Sequence, residues 1–124
     1  MKSGSLIALA SVCALLAVGI GAFGAHGASS EQAKAWIVTG SNYHMAHSLA
    51  LFAVAFVINQ GAKRAVWSVP LFLIGIVLFS GSLYALALGA PKIIAMAAPL
   101  GGLCFMLGWG VLAWAGLSMQ REKL

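Results

Sequence analysis

Histidine, tyrosine and serine side chains at helical spacing are the residues of this chain that could do chemistry. Tyr43 and His47 lie one helical turn apart, and Ser80 and Tyr84 repeat that spacing. His26 precedes both pairs. Imidazole and phenol groups can ligate a metal or form hydrogen bonds with a bound molecule. These five residues are therefore the candidate ligand-binding residues.

The chain lacks the residues of the common catalytic arrangements. Its only carboxylates are Glu31 and Glu122, and no nucleophile has a base and an orienting acid beside it in the pattern. Cys13 and Cys104 lack the paired spacing of zinc or redox motifs, and we expect both to be apolar packing residues. No catalytic residue is predicted, and the protein is expected not to be an enzyme.

A metal or haem site would rest on two neutral imidazoles, those of His26 and His47. Met45 or Met96 would be the softer additional donor, although Met45 points to a different helix face from His47. The other alternative is an amphiphile, either a quinone or a lipid headgroup, hydrogen-bonded to histidine and tyrosine. No metal site is predicted, and the sequence identifies no cofactor.

The composition shows which elements must position these residues. Hydrophobic residues make up 62% of the 124 residues, charged residues only 7%, and the mean hydropathy is +1.01. A soluble domain of this size leaves about a third of its chain surface exposed, too much for so apolar a sequence. The sequence therefore predicts an all-α integral membrane protein.

Four apolar segments of about 20 residues each are long enough to cross a hydrocarbon core of about 30 Å. We predict a four-helix bundle in one domain, residues 1–124, with spans near 6–25, 43–60, 69–88 and 93–117. Ser29, with Gln32 three residues later, predicts a short interfacial helix between the first two spans, anchored by Trp36. No second domain is expected.

Single residues predict how the spans begin and end. Gly61 and Gly89 suit the left-handed position after a helix, and Ser68 suits an N-cap. Pro99 predicts a kink or wide turn in the fourth span. Small residues four apart form two ladders that favour close helix packing in the bundle or a dimer: Ala17, Gly21 and Ala25, then Gly81, Ala85 and Gly89.

The distribution of cations predicts the orientation. With four spans, one side of the membrane holds Lys2, Lys63, Arg64, Arg121 and Lys123, whereas the other holds Lys34 and Lys92. Cytoplasmic loops are enriched in lysine and arginine, so both termini should be cytoplasmic. We attribute the net charge of +5 to this topology and to contact with anionic lipid, not to nucleic-acid binding.

This topology would gather the candidate residues toward the outer leaflet. His26 would close the first span there, and Tyr43 and His47 would begin the second. One interpretation is a hydrogen-bonded cluster that holds the helix ends together. The other is that intramembrane ionisable residues line a binding site.

Several short motifs resemble a known family when they are taken together. The chain is similar to the small bacterial inner-membrane family called domain of unknown function four-two-three, which has a eukaryotic relative, transmembrane protein two-five-six. The resemblance implies a four-helix integral membrane protein and no established activity. His44 stands where this family is expected to have glutamine. The motifs are Gly21-Ala22-Phe23-Gly24-Ala25-His26, Trp36, Thr39-Gly40, Tyr43, His47-Ser48-Leu49-Ala50, Leu78-Phe79-Ser80-Gly81-Ser82-Leu83-Tyr84, Pro99-Leu100-Gly101-Gly102 and Gly108-Trp109.

The sequence thus predicts a multi-pass protein of the bacterial inner membrane that acts as a non-enzymatic accessory or scaffold protein. Its expected partners are the lipid bilayer and a second copy or another membrane protein. The alternative is a membrane protein that binds a metal, haem or amphiphile at its histidines and tyrosines. A small transporter is a third hypothesis, which would need a histidine proton relay because no span contains a carboxylate.

Overall fold

Four long helices make up the structure, a computed structural model that describes residues 2–122. They are α1 (Ser3–Gly24), α2 (Glu31–Asn59), α3 (Lys63–Ala87) and α4 (Lys92–Gln120), and each is long and apolar enough to cross a membrane. The final α-helical segment runs from Ala97 to Glu122. Residues 2–122 contain no strand. The predicted all-α membrane fold is confirmed.

Helix α2 begins earlier than predicted. The hydroxyl of Ser30 accepts a hydrogen bond from the backbone N–H of Ala33 at 3.0 Å, so Ser30 is the N-cap and the predicted Ser29–Gln32 pairing is wrong by one residue. The helix then continues unbroken for 29 residues. No proline interrupts this segment, so the predicted interfacial helix is the first part of α2 and not a separate element.

The predicted helix ends are partly correct. Gly61 and Gly89 have φ angles of +100° and +97°, as expected of residues that follow a helix. Ser68 is not an N-cap: its hydroxyl donates to the carbonyl of Gly108 at 2.9 Å and joins α3 to α4. Helix α3 begins instead with a 3₁₀ turn, Lys63–Trp67.

Pro99 does not interrupt a helix. A 3₁₀ turn, Lys92–Met96, precedes an α-helix that begins at Ala97, which places Pro99 in the first turn. A backbone N–H is not needed there, so proline is tolerated. The predicted irregularity therefore lies before Pro99, in the 3₁₀ turn.

The four helices are not equally enclosed. Helix α2 packs on α3 and α3 on α4, while the backbone of α1, among residues 2–122, comes close only to α2. The buried core contains Leu51 and Val54 of α2 and Phe72 of α3, all at 0% exposure. We therefore describe the bundle as a central pair, α2 and α3, with α1 on the outside of α2 and α4 on the outside of α3.

Glycines set how closely the helices approach. A Cβ atom added to Gly108 would lie 2.6 Å from the Phe72 ring, and one added to Gly101 would collide with the backbone of Phe79. Between α1 and α2, a Cβ on Gly21 would meet Ser41 at 3.1 Å. The ladder containing Gly21 therefore packs within the bundle. Gly81 has only its own helix nearby, so the second ladder does not pack there within the described chain.

The two ends of the bundle differ in charge. Ser3 donates a hydrogen bond to Asn59 at 2.6 Å, and the guanidinium of Arg64 lies 4.7 Å from the ring centroid of Trp114. These contacts place the start of α1, the α2–α3 connection and the end of α4 together. We call this end, with Lys2, Lys63 and Arg64, the basic end, and the end where α2 begins the opposite end.

Candidate functional site

His47 lies near the middle of α2, not near its beginning. It is 16 residues beyond Glu31 and 12 before Asn59, or about 24 Å and about 18 Å along the helix axis. The prediction that Tyr43 and His47 begin the second helix is therefore wrong, because α2 begins 12 residues before Tyr43. A polar side chain at this depth must find its partners inside the protein.

Both ring nitrogens of His47 are engaged. The indole N–H of Trp109 donates to Nε2 at 3.0 Å, and Nδ1 lies 2.7 Å from the backbone carbonyl oxygen of Tyr43. The two bonds coexist in one neutral tautomer, in which Nδ1 is protonated and Nε2 accepts. The imidazole is 5% exposed and stacks on the Phe105 ring, with centroids 3.6 Å apart and planes 10° apart. His47 therefore connects α2 to α4.

Tyr43 lies one turn from His47 at the edge of the same aromatic group. Its ring centroid is 4.6 Å from that of Phe79 and 6.2 Å from that of Phe105. The side chain remains 47% exposed. Among residues 2–122, the hydrogen bonds found leave the Tyr43 hydroxyl without a partner.

Ser80 and Tyr84 form a second polar group, between α2 and α3. The Ser80 hydroxyl donates to the carbonyl of Gly40 at 2.7 Å, and the Tyr84 hydroxyl lies 2.9 Å from Nδ1 of His44. Tyr84 also lies against Gly40, where an added Cβ would be 2.8 Å from its ring. Gly40 and His44 of α2, one helical turn apart, thus face Ser80 and Tyr84 of α3, which have the same spacing.

The five predicted site residues therefore occupy three places. Tyr43 and His47 face α3 and α4, Ser80 and Tyr84 face α2, and His26 is exposed in the short helix Ala25–Gly27. None of the contacts found in the described chain joins His26 to the others. The structure does not form one cluster from them.

Three important residues were missed by the sequence reasoning. His44 is 4% exposed and pairs with Tyr84, although the family resemblance had set it aside. Phe105 gave no signal, because one phenylalanine in an apolar span has no distinguishing pattern. Trp109 could have been identified from the sequence, because an indole N–H deep in a membrane span requires a hydrogen-bond acceptor.

A metal centre is not formed by these side chains. Within residues 2–122, no three histidine, cysteine or acidic side chains are close enough together to hold an ion. Cys13 and Cys104 are both free, and Cys13 packs against the hydrophobic core. His47 could ligate a metal through Nε2 only by losing its bond to Trp109.

Replacing Ser80 by alanine should destabilise the protein by about 0.6 kcal/mol, the average for hydrogen bonds between membrane helices, and by no more than about 1.7 kcal/mol. Ser82→Ala is the matched control, because that hydroxyl donates to Phe79 within its own helix. Unfolding in mixed micelles measures both. Equal losses would contradict the helix-joining role of Ser80.

Comparison with known proteins agrees with this architecture. Residues 20–102 match the model of the family described as "Protein of unknown function (DUF423)". The chain belongs to this family. The match includes the α2–α3 interface and ends within α4, before Trp109. The family resemblance inferred from the motifs is thus confirmed.

Relatives of this DUF423 protein are named as membrane proteins. It is 43% identical to a UPF0382 membrane protein of Haemophilus influenzae over 92% of this chain and 94% of the relative. It is 41% identical to the UPF0382 membrane protein YwdK of Bacillus subtilis, over 90% and 94%. It is 33% identical to the UPF0382 inner membrane protein YgdD of Escherichia coli, over 98% and 96%. No solved structure gives a significant match.

Proposed function

We propose that this DUF423 membrane protein is a non-enzymatic accessory or scaffold protein of the bacterial inner membrane. The observation that supports this most strongly is the engagement of both His47 nitrogens within the bundle. Ser68, Ser80 and Tyr84 likewise form bonds between helices. The hydrogen-bonding groups of these four side chains are thus used for helix packing.

The metal, haem and transport hypotheses receive less support from the same geometry. Axial ligation of haem iron needs an imidazole lone pair, and that of His47 is directed to the Trp109 indole. A proton relay needs an imidazole that exchanges protons with its neighbours. Trp109 is only a donor, so it cannot receive a proton from His47.

The outward side of α1 is the surface through which we propose that the protein meets a second copy of itself. One exposed stripe combines small residues with two larger ones at helical spacing: Gly4, Ala8, Ser11, Leu15, Val18 and Ala22. Small residues at such spacing let membrane helices approach closely. Because α1 packs on α2 alone within the described chain, this stripe is open to a partner.

Disulfide formation between single cysteines in native membranes tests this proposal. With Cys13 and Cys104 replaced by serine, Ser11→Cys should give an oxidised dimer. Val77→Cys should not, because Val77 is 68% exposed on α3, away from the stripe. Failure of Ser11→Cys to cross-link, together with a monomeric mass in mild detergent, would contradict the proposed assembly.

We also propose that the basic end faces the cytoplasm, because Lys2, Lys63 and Arg64 outnumber Lys34 and Lys92 at the opposite end. Green fluorescent protein fused to the C-terminus should fluoresce. Alkaline phosphatase should be active when inserted after Gly89 and inactive at the C-terminus. An active C-terminal phosphatase fusion would reverse the proposed orientation.

A further inference from the structure

A groove opens beside His47 toward the lipid-facing side of α4. Its volume is ≈ 750 Å³, within the range of small-molecule sites, which spans about 300–1,000 Å³. Its aromatic wall consists of Tyr43, Phe79, Phe105 and Trp109, and Gly102 lies on its α4 side. The groove is therefore large enough for a ring-bearing molecule.

One polar group in the groove has no partner in the described chain, the hydroxyl of Tyr43. His47 and Trp109 also line the groove, but the Trp109 indole N–H donates to Nε2 of His47, and Nδ1 of His47 bonds to the Tyr43 carbonyl within α2. Exposure of Tyr43 to lipid does not solvate its hydroxyl, because hydrocarbon offers no hydrogen-bond acceptor. The groove thus offers one donor to a ligand.

The lining residues also determine the charge of the ligand. No lysine, arginine, aspartate or glutamate lines this groove. A charged ligand at this depth would have no counter-ion from the groove and would pay the cost of desolvation. The complementary ligand is neutral and carries a hydrogen-bond acceptor.

Depth distinguishes a phospholipid headgroup from a fully lipid-soluble ring. Tyr43 is 12 residues beyond Glu31, about 18 Å along α2. The 29-residue helix, about 43 Å long, exceeds the hydrocarbon core by about 13 Å. With the surplus shared equally between the two ends, the Tyr43 backbone lies about 12 Å inside the core, farther from its surface than a tyrosine side chain reaches. Headgroups do not reach that depth, and acyl chains have no acceptor there.

We propose that this groove binds a membrane quinone, a neutral ring with an apolar tail. The Tyr43 hydroxyl donates a hydrogen bond to a ring carbonyl, and the flat ring lies against the exposed rings of Tyr43 and Trp109. The apolar tail occupies the remaining space beside Gly102. This binding goes beyond the scaffold function and does not depend on it, since His47 and Trp109 keep their mutual bond.

Titration of purified protein in phosphatidylcholine nanodiscs with decylubiquinone tests the proposal. Quenching of tryptophan fluorescence should saturate, because Trp109 lines the groove. Tyr43→Phe keeps the ring and removes the donor, and it should weaken binding about fivefold, the equivalent of one hydrogen bond. Gly102→Leu should weaken it more than tenfold by filling the groove, where an added Cβ meets nothing within 4 Å.

Gly110→Leu is the matched control. Gly110 lies on the same helix, does not line the groove, and also has nothing within 4 Å of an added Cβ. This variant should bind like the wild type, and the thermal unfolding of both leucine variants shows that they fold. Absence of saturable quenching in the nanodiscs, or unchanged affinity in either Tyr43→Phe or Gly102→Leu, would overturn the proposal. Neither result would affect the Ser11 cross-link that tests the proposed assembly with a second copy.

Discussion

Replacing Gly101 by alanine is expected to destabilise the protein by about 3 kcal/mol, a fall in Tm of roughly 10 °C. An added Cβ at Gly101 would collide with the backbone nitrogen of Phe79 and lie 2.9 Å from the carbonyl carbon of Leu78. Backbone atoms cannot rotate away as a side chain can. Helices α3 and α4 would have to separate, which weakens the packing of Phe72 and Phe105 between them.

Gly102→Ala is the control for this experiment, since an added Cβ there meets nothing within 4 Å. Alanine also favours helix over glycine by about 1 kcal/mol, so this variant should be as stable as the wild type or more so. Thermal unfolding in mild detergent compares the two. Equal stability of both variants would show that α3 and α4 do not approach at Gly101 as described.

The second large effect is expected at His47. His47→Ala removes the bond from Trp109, the stacking on Phe105 and most of a buried ring, for a loss on the order of 2–4 kcal/mol. His26→Ala should change stability by less than about 0.5 kcal/mol, because that side chain is exposed. Reversible unfolding in mixed micelles measures both variants.

The same samples separate a structural role from metal or haem binding. If His47 serves packing, the absorption spectrum and metal content of the wild type and of His47→Ala should be the same. A haem band or a stoichiometric metal that is lost in His47→Ala would contradict the structural role.

The helices of this fold could largely be predicted from composition, because lipid requires long apolar helices whose backbone groups are satisfied internally. The residue at which α2 begins could not be predicted from composition. Its first 12 residues are more polar than the spans and resemble a separate surface helix, yet nothing between Glu31 and Tyr43 breaks the helix. That one boundary changed the position along α2 at which Tyr43 and His47 were predicted to lie.

The candidate site was predictable only as pairs along one helix. The spacing of Tyr43 and His47 showed that they share a face, and that of Ser80 and Tyr84 did the same. Which helix each face meets depends on how α2, α3 and α4 pack. Ser68 illustrates the ambiguity, since a serine before an apolar run suits both an N-cap and the bond to Gly108 that the structure contains.

The most direct test of the structural role of His47 is a double-mutant cycle with Trp109. Free energies of unfolding in mixed micelles would be measured for the wild type, His47→Ala, Trp109→Phe and the double variant. If the indole N–H donates to His47 at 3.0 Å, the two changes should be coupled by about 0.6–1.7 kcal/mol. Additivity within about 0.3 kcal/mol would contradict the view that His47 joins α2 to α4.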